Sequence, residues 1–211
     1  GFAVPGQAGV YVNLATGEPF KLVEFYDGEK YDTEALPSSI TVGTKRNFFQ
    51  NLTNKDDIDT NIDTQHQLSS GETMVIKRIG VDCPLARGNN LVRPEDIKKV
   101  LYNGYTEVKI NDTMIGEGPC IQFPYGYGMV GQTTENNTGV VSNGVASTAA
   151  KRELEKQHFI TDSHAIKGMV TYQDRAWDTN GTSLSGAALV LNAVVHLRLS
   201  IGGLISQAAT K

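Results

Sequence analysis

The chain predicts an all-β protein, an antiparallel β-sandwich with one or two short helices. Three observations lead there. The apolar residues Leu189, Leu191, Ala193, Val195, Leu197, Leu199 and Ile201 alternate with Val190, Asn192, Val194, His196, Arg198 and Ser200. Strand side chains point to opposite faces with period two, so residues 189–201 predict one long strand with a dry face and a mixed one. At about 3.4 Å per residue it would span roughly 44 Å, more than twice the usual strand. Other strand-like runs recur between turn residues, and 22 glycines suit a fold with many turns. Only two segments carry a helical stripe, too few to connect parallel strands.

The elements follow in chain order. Residues 1–9 are small and uncharged and read as an extended N-terminal arm, with residues 10–211 as a single domain. Residues 20–26 are a strand candidate whose apolar set changes phase between Leu22 and Val23, which predicts a bulge or burial on both sides. Asp27-Gly28 marks a turn. Residues 40–42 and 47–49 are short strand candidates around Lys45-Arg46. Residues 51–67 are polar and acidic and predict a long loop. Residues 72–83 predict a strong strand through Met74, Val75, Ile76, Ile79 and Val81, interrupted by Lys77-Arg78 at a bulge or an edge.

Residues 93–104 are the clearest helix. Pro94 suits the first position, Glu95 and Asp96 complement the positive end, and Gly104 can close it. Residues 106–110 and 113–115 predict a hairpin about Asn111-Asp112. Residues 119–131 form a loop rich in Gly, Pro and Tyr, and 132–144 a polar stretch. Residues 147–157 predict a second short helix through Ala149, Ala150 and Leu154. Residues 166–172 are a strand, and 178–186 a turn-rich connector. With no composition break and no internal repeat, a sandwich of jelly-roll type accommodates the whole.

Composition narrows the function classes. Hydrophobic content of 39% supports a core, and 20% charge is too low for a disordered chain. Net charge is −4, and no run of Lys or Arg exceeds two residues. Direct nucleic-acid binding and a polybasic membrane anchor both want more concentrated positive charge. Residues 186–205 are apolar enough to raise a membrane span, but Asn192, His196, Arg198 and the alternation argue against one. Cys83 and Cys120 fit no metal spacing and read as buried free thiols of a reducing compartment, a disulfide being the alternative. No charged-then-apolar signal peptide is present, so the sequons at Asn51, Asn111, Asn136 and Asn180 read as chance matches.

Motifs that suggest chemistry fail on context. Gly126, Gly128 and Gly131 match a dinucleotide fingerprint by letter, but Pro124 precedes them and no helical stripe follows. Asp57, Asp59, Asn61 and Asp63 alternate like the start of a calcium loop. Ile62 and Leu68 stand where an EF-hand needs Gly and Glu, so a solvated acidic loop is favoured over a non-standard calcium site. Asp162, Ser163 and His164 are adjacent, which a hydrolytic triad does not tolerate. Of the histidines His66, His158, His164 and His196, none stands at helical or strand spacing from another. No enzymatic activity, cofactor or metal is therefore expected.

Two groups of residues remain as candidate contacts. Phe2 and Val4 in the arm, with Asn192, His196 and Arg198 on the mixed strand face, suit a subunit interface; for that strand face the alternative is a solvent face. Phe123, Tyr125 and Tyr127 suit an interface loop or stacking on a sugar.

The arm at 1–9, the core strand at 72–83, the hairpin at 106–115 and the long strand at 189–201 together resemble jelly-roll coat or cement proteins of icosahedral viruses, particularly bacteriophages. The resemblance implies a structural virion protein, a capsid coat or accessory subunit, assembled in the host cytoplasm. Its partners would be copies of itself, as trimers or larger homo-oligomers, and other capsid proteins. The acidic balance departs from shells that line a genome and favours an outer or membrane-facing position. The rival expectation is a carbohydrate- or receptor-binding β-sandwich.

Overall fold

A long apolar strand near the C-terminal end holds a central place in its sheet. The computed structural model describes residues 2–3, 10–12, 17, 19–21, 25–84, 94–125, 130–133, 139–142, 152–173, 188–191 and 193–206. Strand accounts for 59% of these and helix for 8%, so the chain is all-β. In order, the described strands are β1 (Phe2–Ala3), β2 (Val10–Val12), β3 (Pro19–Lys21), β4 (Phe25–Leu36), β5 (Ser39–Ile40), β6 (Lys45–Phe48) and β7 (Thr73–Asp82). Helix α1 (Pro94–Asn103) precedes β8 (Gly104–Ile110), β9 (Thr113–Pro119) and a 3-10 turn at Cys120–Gln122. Then come β10 (Val130–Thr133), β11 (Gly139–Ser142), β12 (Glu153–Thr161), β13 (Ile166–Tyr172), β14 (Leu189–Val190) and β15 (Val195–Ser206).

Eight of these strands build two four-stranded antiparallel sheets, ordered β12-β7-β15-β4 and β6-β13-β8-β9. Numbered one to eight along the chain, they stand 6-3-8-1 in the first sheet and 2-7-4-5 in the second. First pairs with eighth, second with seventh, third with sixth and fourth with fifth. The chain is thus one long hairpin whose successive rungs are dealt alternately to two sheets. The joins between rungs are β15 with β7 and β13 with β8.

Alternation explains the core. In β13, Ile166, Val170 and Tyr172 point inward, and in β8, Val108 and Ile110 do the same. Leu197, Leu199 and Ile201 of β15 are fully buried in the same hydrophobic cluster. β7 places Met74 and Ile76 on this side and then changes phase. Its partners step from Gly202 opposite Arg78 to Gly203 opposite Ile76, so Lys77 is an extra residue at the bulge that its charged pair predicts. The phase change lets Ile79 and Val81 also reach the core. Gly203 is required here, because a β-carbon would lie 1.9 Å from the Val75 carbonyl oxygen.

Several expectations need correction. Residues 189–201 are not one strand. Leu189–Val190 pairs with β5, and the ladder to β4 begins only at Val195 opposite Leu36. Pro37, just after Leu36, has no N–H to carry the ladder onward. The long strand is instead displaced toward the C-terminus and ends at Ser206. Asp27-Gly28 is no turn but lies within β4, where Gly28 faces Gly203. A β-carbon on Gly28 would meet the Tyr26 ring at 2.7 Å and Ile205 at 2.9 Å, so close approach selects glycine there. Lys45-Arg46 lies inside β6 instead of between two strands.

The second helix is also corrected: within 147–157, residues 153–157 belong to β12, an edge strand paired to β7. Ladder bonds and a charged outer edge outweigh the short Ala-Leu stripe. The polar stretch at 132–144 contributes to a hairpin, β10 with β11. Gly104 starts β8 instead of merely capping α1. Phe2–Ala3 pairs with β2, and β2 pairs with β3, so the described part of the N-terminal segment lies in a three-stranded sheet. Helix α1 buries Ile97 and Val100. No described helix is long and apolar enough to cross a membrane.

Candidate functional site

The outer face of the first sheet carries His196, Arg198 and Ser200, and it is largely roofed by the same chain. Arg198 donates from Nε to Thr33 Oγ1 at 3.1 Å and from a terminal nitrogen to the Ile58 carbonyl at 2.6 Å. Its guanidinium stacks 4.6 Å from the Tyr31 ring centroid. Arg198 is therefore a strut between the sheet and the loop that contains Ile58. Ser200 is only 2% exposed. His196 is half-buried, and its Nδ1 has no hydrogen-bond partner. Asn192 and Val4 lie outside the described residues; Phe2 lies in β1. Asp82, opposite Arg198, has its carboxyl pushed up by burial, against the lowering effects of a Cys83 backbone hydrogen bond and of Arg198.

The aromatic loop completes this roof. Phe123 has no exposed surface and cannot offer its ring to a ligand in this state. Its carbonyl accepts from Val81 N–H, while Arg152 stacks 4.7 Å from its ring. Tyr125 lies over Gly80, where a β-carbon would be 2.5 Å from the ring. Its phenol donates to Glu29, which also holds Arg78 at 3.0 Å. Burial, and then Glu29, hold the Tyr125 hydroxyl well above its ordinary range. Tyr127 lies outside the described residues.

The acidic loop seals the free edge of β4. Asn61 accepts from Tyr31 N–H at 2.8 Å and donates to the Glu29 carbonyl at 2.6 Å, mimicking a neighbouring strand. Asp63 accepts from Ser69, and Asp57 offers its carbonyl to the Tyr31 hydroxyl. Beneath the loop, Lys30, Asp32 and Glu34 share the inward side of β4 with its β15 partners Ile201, Leu199 and Leu197. Lys55 reaches in to Asp32 at 2.7 Å and Glu34 at 2.5 Å, and Lys30 meets Glu72 at 2.8 Å. Asp32 is completely buried and also accepts from Phe49 N–H. The sequence offers no local signal for these pairs, because their partners are 21 to 42 residues apart in the chain.

The outer face of the second sheet is different. There Asn47, Gln50, His66, Glu107, Lys109, Lys167, Gly168 and Met169 line an open concavity of about 320 Å³. Three strands form its floor, and the loop bearing His66 forms one wall. Of these residues the sequence singles out only His66, as one of four histidines that stand at no helical or strand spacing from another.

The remaining candidates are local structure. Thr161 N–H donates to His164 Nδ1, and Asp162 accepts from Gly71 N–H, so the Asp-Ser-His triplet is a turn. Gly131 lies in β10. Cys83 and Cys120 are buried free thiols; burial raises both, Cys120 to about 11. No cluster of metal-ligating side chains occurs among the described residues. No family model matches this chain, and no curated protein and no solved structure matches it either.

Proposed function

We propose that the chain is a jelly-roll structural subunit of a virion shell, a coat or accessory protein that associates with copies of itself. One observation carries the reading. Pairing first with eighth, second with seventh, third with sixth and fourth with fifth strand is what rolling a long hairpin into two sheets produces, and that arrangement recurs in viral capsid domains. Its buried ionisable groups serve as struts, as expected of a tile that must hold its shape. Exposed apolar side chains at Ile58, Tyr102, Val190 and Val194 supply surface for neighbours.

Sedimentation velocity and electron microscopy of the purified chain test the proposal. Trimers or larger closed assemblies are expected, and deletion of residues 1–9, which removes β1 but no strand of the two four-stranded sheets, should weaken them while leaving cooperative unfolding in place. A monomer at every concentration would overturn it.

A further inference from the structure

The open concavity on the second sheet combines features that point to a ligand, independently of any shell. Lys109 and Lys167 face each other across β8 and β13. Like charges in direct opposition are unfavourable in a sheet. Their partners hold them loosely: Glu107 lies 3.4 Å from Lys109, and Asp112, whose side chain is 98% exposed, lies 3.1 Å from Lys167. Ion pairs this open to solvent are weak, so an incoming anion competes for both ammonium groups.

His66 adds a fixed acceptor. Its φ of +62° is in the left-handed region, and the backbone is held there by bonds from its N–H to Phe49 and from Ile166 N–H to its carbonyl. Its ring Nδ1 lies 3.0 Å from the Ile166 carbonyl, which can only accept, so Nδ1 carries the proton. In the neutral ring Nε2 is then the acceptor. Asn47 and Gln50 bring amides, and Met169 brings a polarisable apolar surface.

We propose that this concavity binds a small hydroxylated carboxylate, such as an acidic sugar residue. The two ammonium groups take the carboxylate, and His66 Nε2, the amides and Glu107 take hydroxyls. Glu107 on the floor favours a monoanion over a phosphate dianion. The volume is at the low end for ligand sites and suits one ring.

Methyl-labelled methionine NMR of the full chain reads this directly, with Met169 as reporter and the fully buried Met74 as internal reference. Titration with glucuronate should move Met169 saturably and leave Met74 in place, while glucose moves neither. The Lys109→Gln/Lys167→Gln double variant should weaken binding at least about tenfold, the loss of charge-assisted contacts, whereas Lys156→Gln on β12 should not. A methyl glucuronide binding as well as the free acid would identify a glycan end; preference for the free acid would identify a free sugar acid. No saturable shift with glucuronate, an equal shift with glucose, or unchanged affinity in the double variant would each overturn the assignment.

Discussion

The two sheets obey the same alternation, yet their outer faces have opposite fates. On the first sheet, Arg198, Ser200 and Gly80 lie beneath Tyr125 and the loop bearing Ile58, and Arg198 and Ser200 are hydrogen-bonded within the chain. On the second, Glu107, Lys109, Lys167 and Met169 surround an open concavity. A polar strand face is thus not one kind of surface. Where a distant segment lies across it, the face becomes part of the framework; where the segment only walls one side, the face stays open. The difference places a ligand surface on the second sheet and leaves the first to carry rigidity.

Single substitutions test that division, beginning with the largest expected effect. Lys55→Met removes the cation shared by Asp32 and Glu34 and strands a carboxylate that is completely buried. Stability by urea denaturation should fall by about 3 kcal/mol, and adding Asp32→Asn should recover part of it. A neutral result for Lys55→Met would mean that Lys55 is not what compensates the buried Asp32 carboxylate.

Arg198→Ala comes next. Loss of the Thr33 and Ile58 hydrogen bonds and the Tyr31 stack should cost about 1–2 kcal/mol and speed proteolysis within residues 51–67. The matching change on the open face, Lys167→Ala, should stay within about 0.5 kcal/mol. Equal effects would erase the distinction between the faces.

Asp82→Asn is the smallest. Burial lifts the folded carboxyl above its ordinary value, so the charged form is penalised in the folded state. That penalty is fully present above the folded pKa and vanishes as pH falls through the ordinary carboxylate range. The variant should therefore melt at a higher temperature than the parent at pH 7, with the gap closing toward acid. A gap that widens on acidification would reverse the assigned sign.

What could be read in advance was whatever local pattern alone decides. β13 matches the expected residues 166–172, and the hairpin turns at Asn111, whose φ is +55°. The bulge at Lys77 was legible because a charged pair there breaks an apolar run. Elsewhere the deciding partner is distant. Pro37 splits the strand expected at 189–201, and pairing with β7 makes a strand of residues expected to be helical. Glycine in Asp27-Gly28 looked like a turn because its actual neighbours, the Tyr26 ring and Ile205, meet it only once β4 and β15 are paired. The concavity was invisible for the same reason: Asn47, His66, Glu107 and Lys167 converge only when β6, β8, β13 and the covering loop are in place.

The placement of β15 also bears on synthesis. Translation is vectorial, at about 5–20 residues per second. β4, β7 and β12 all leave the ribosome before β15, yet β15 stands between β4 and β7. Until residues 195–206 emerge, the first sheet has a vacant central place, and the apolar edges flanking it have no partner. The nascent protein is therefore exposed to wrong pairing until β15 arrives, and chaperone protection matters in that interval.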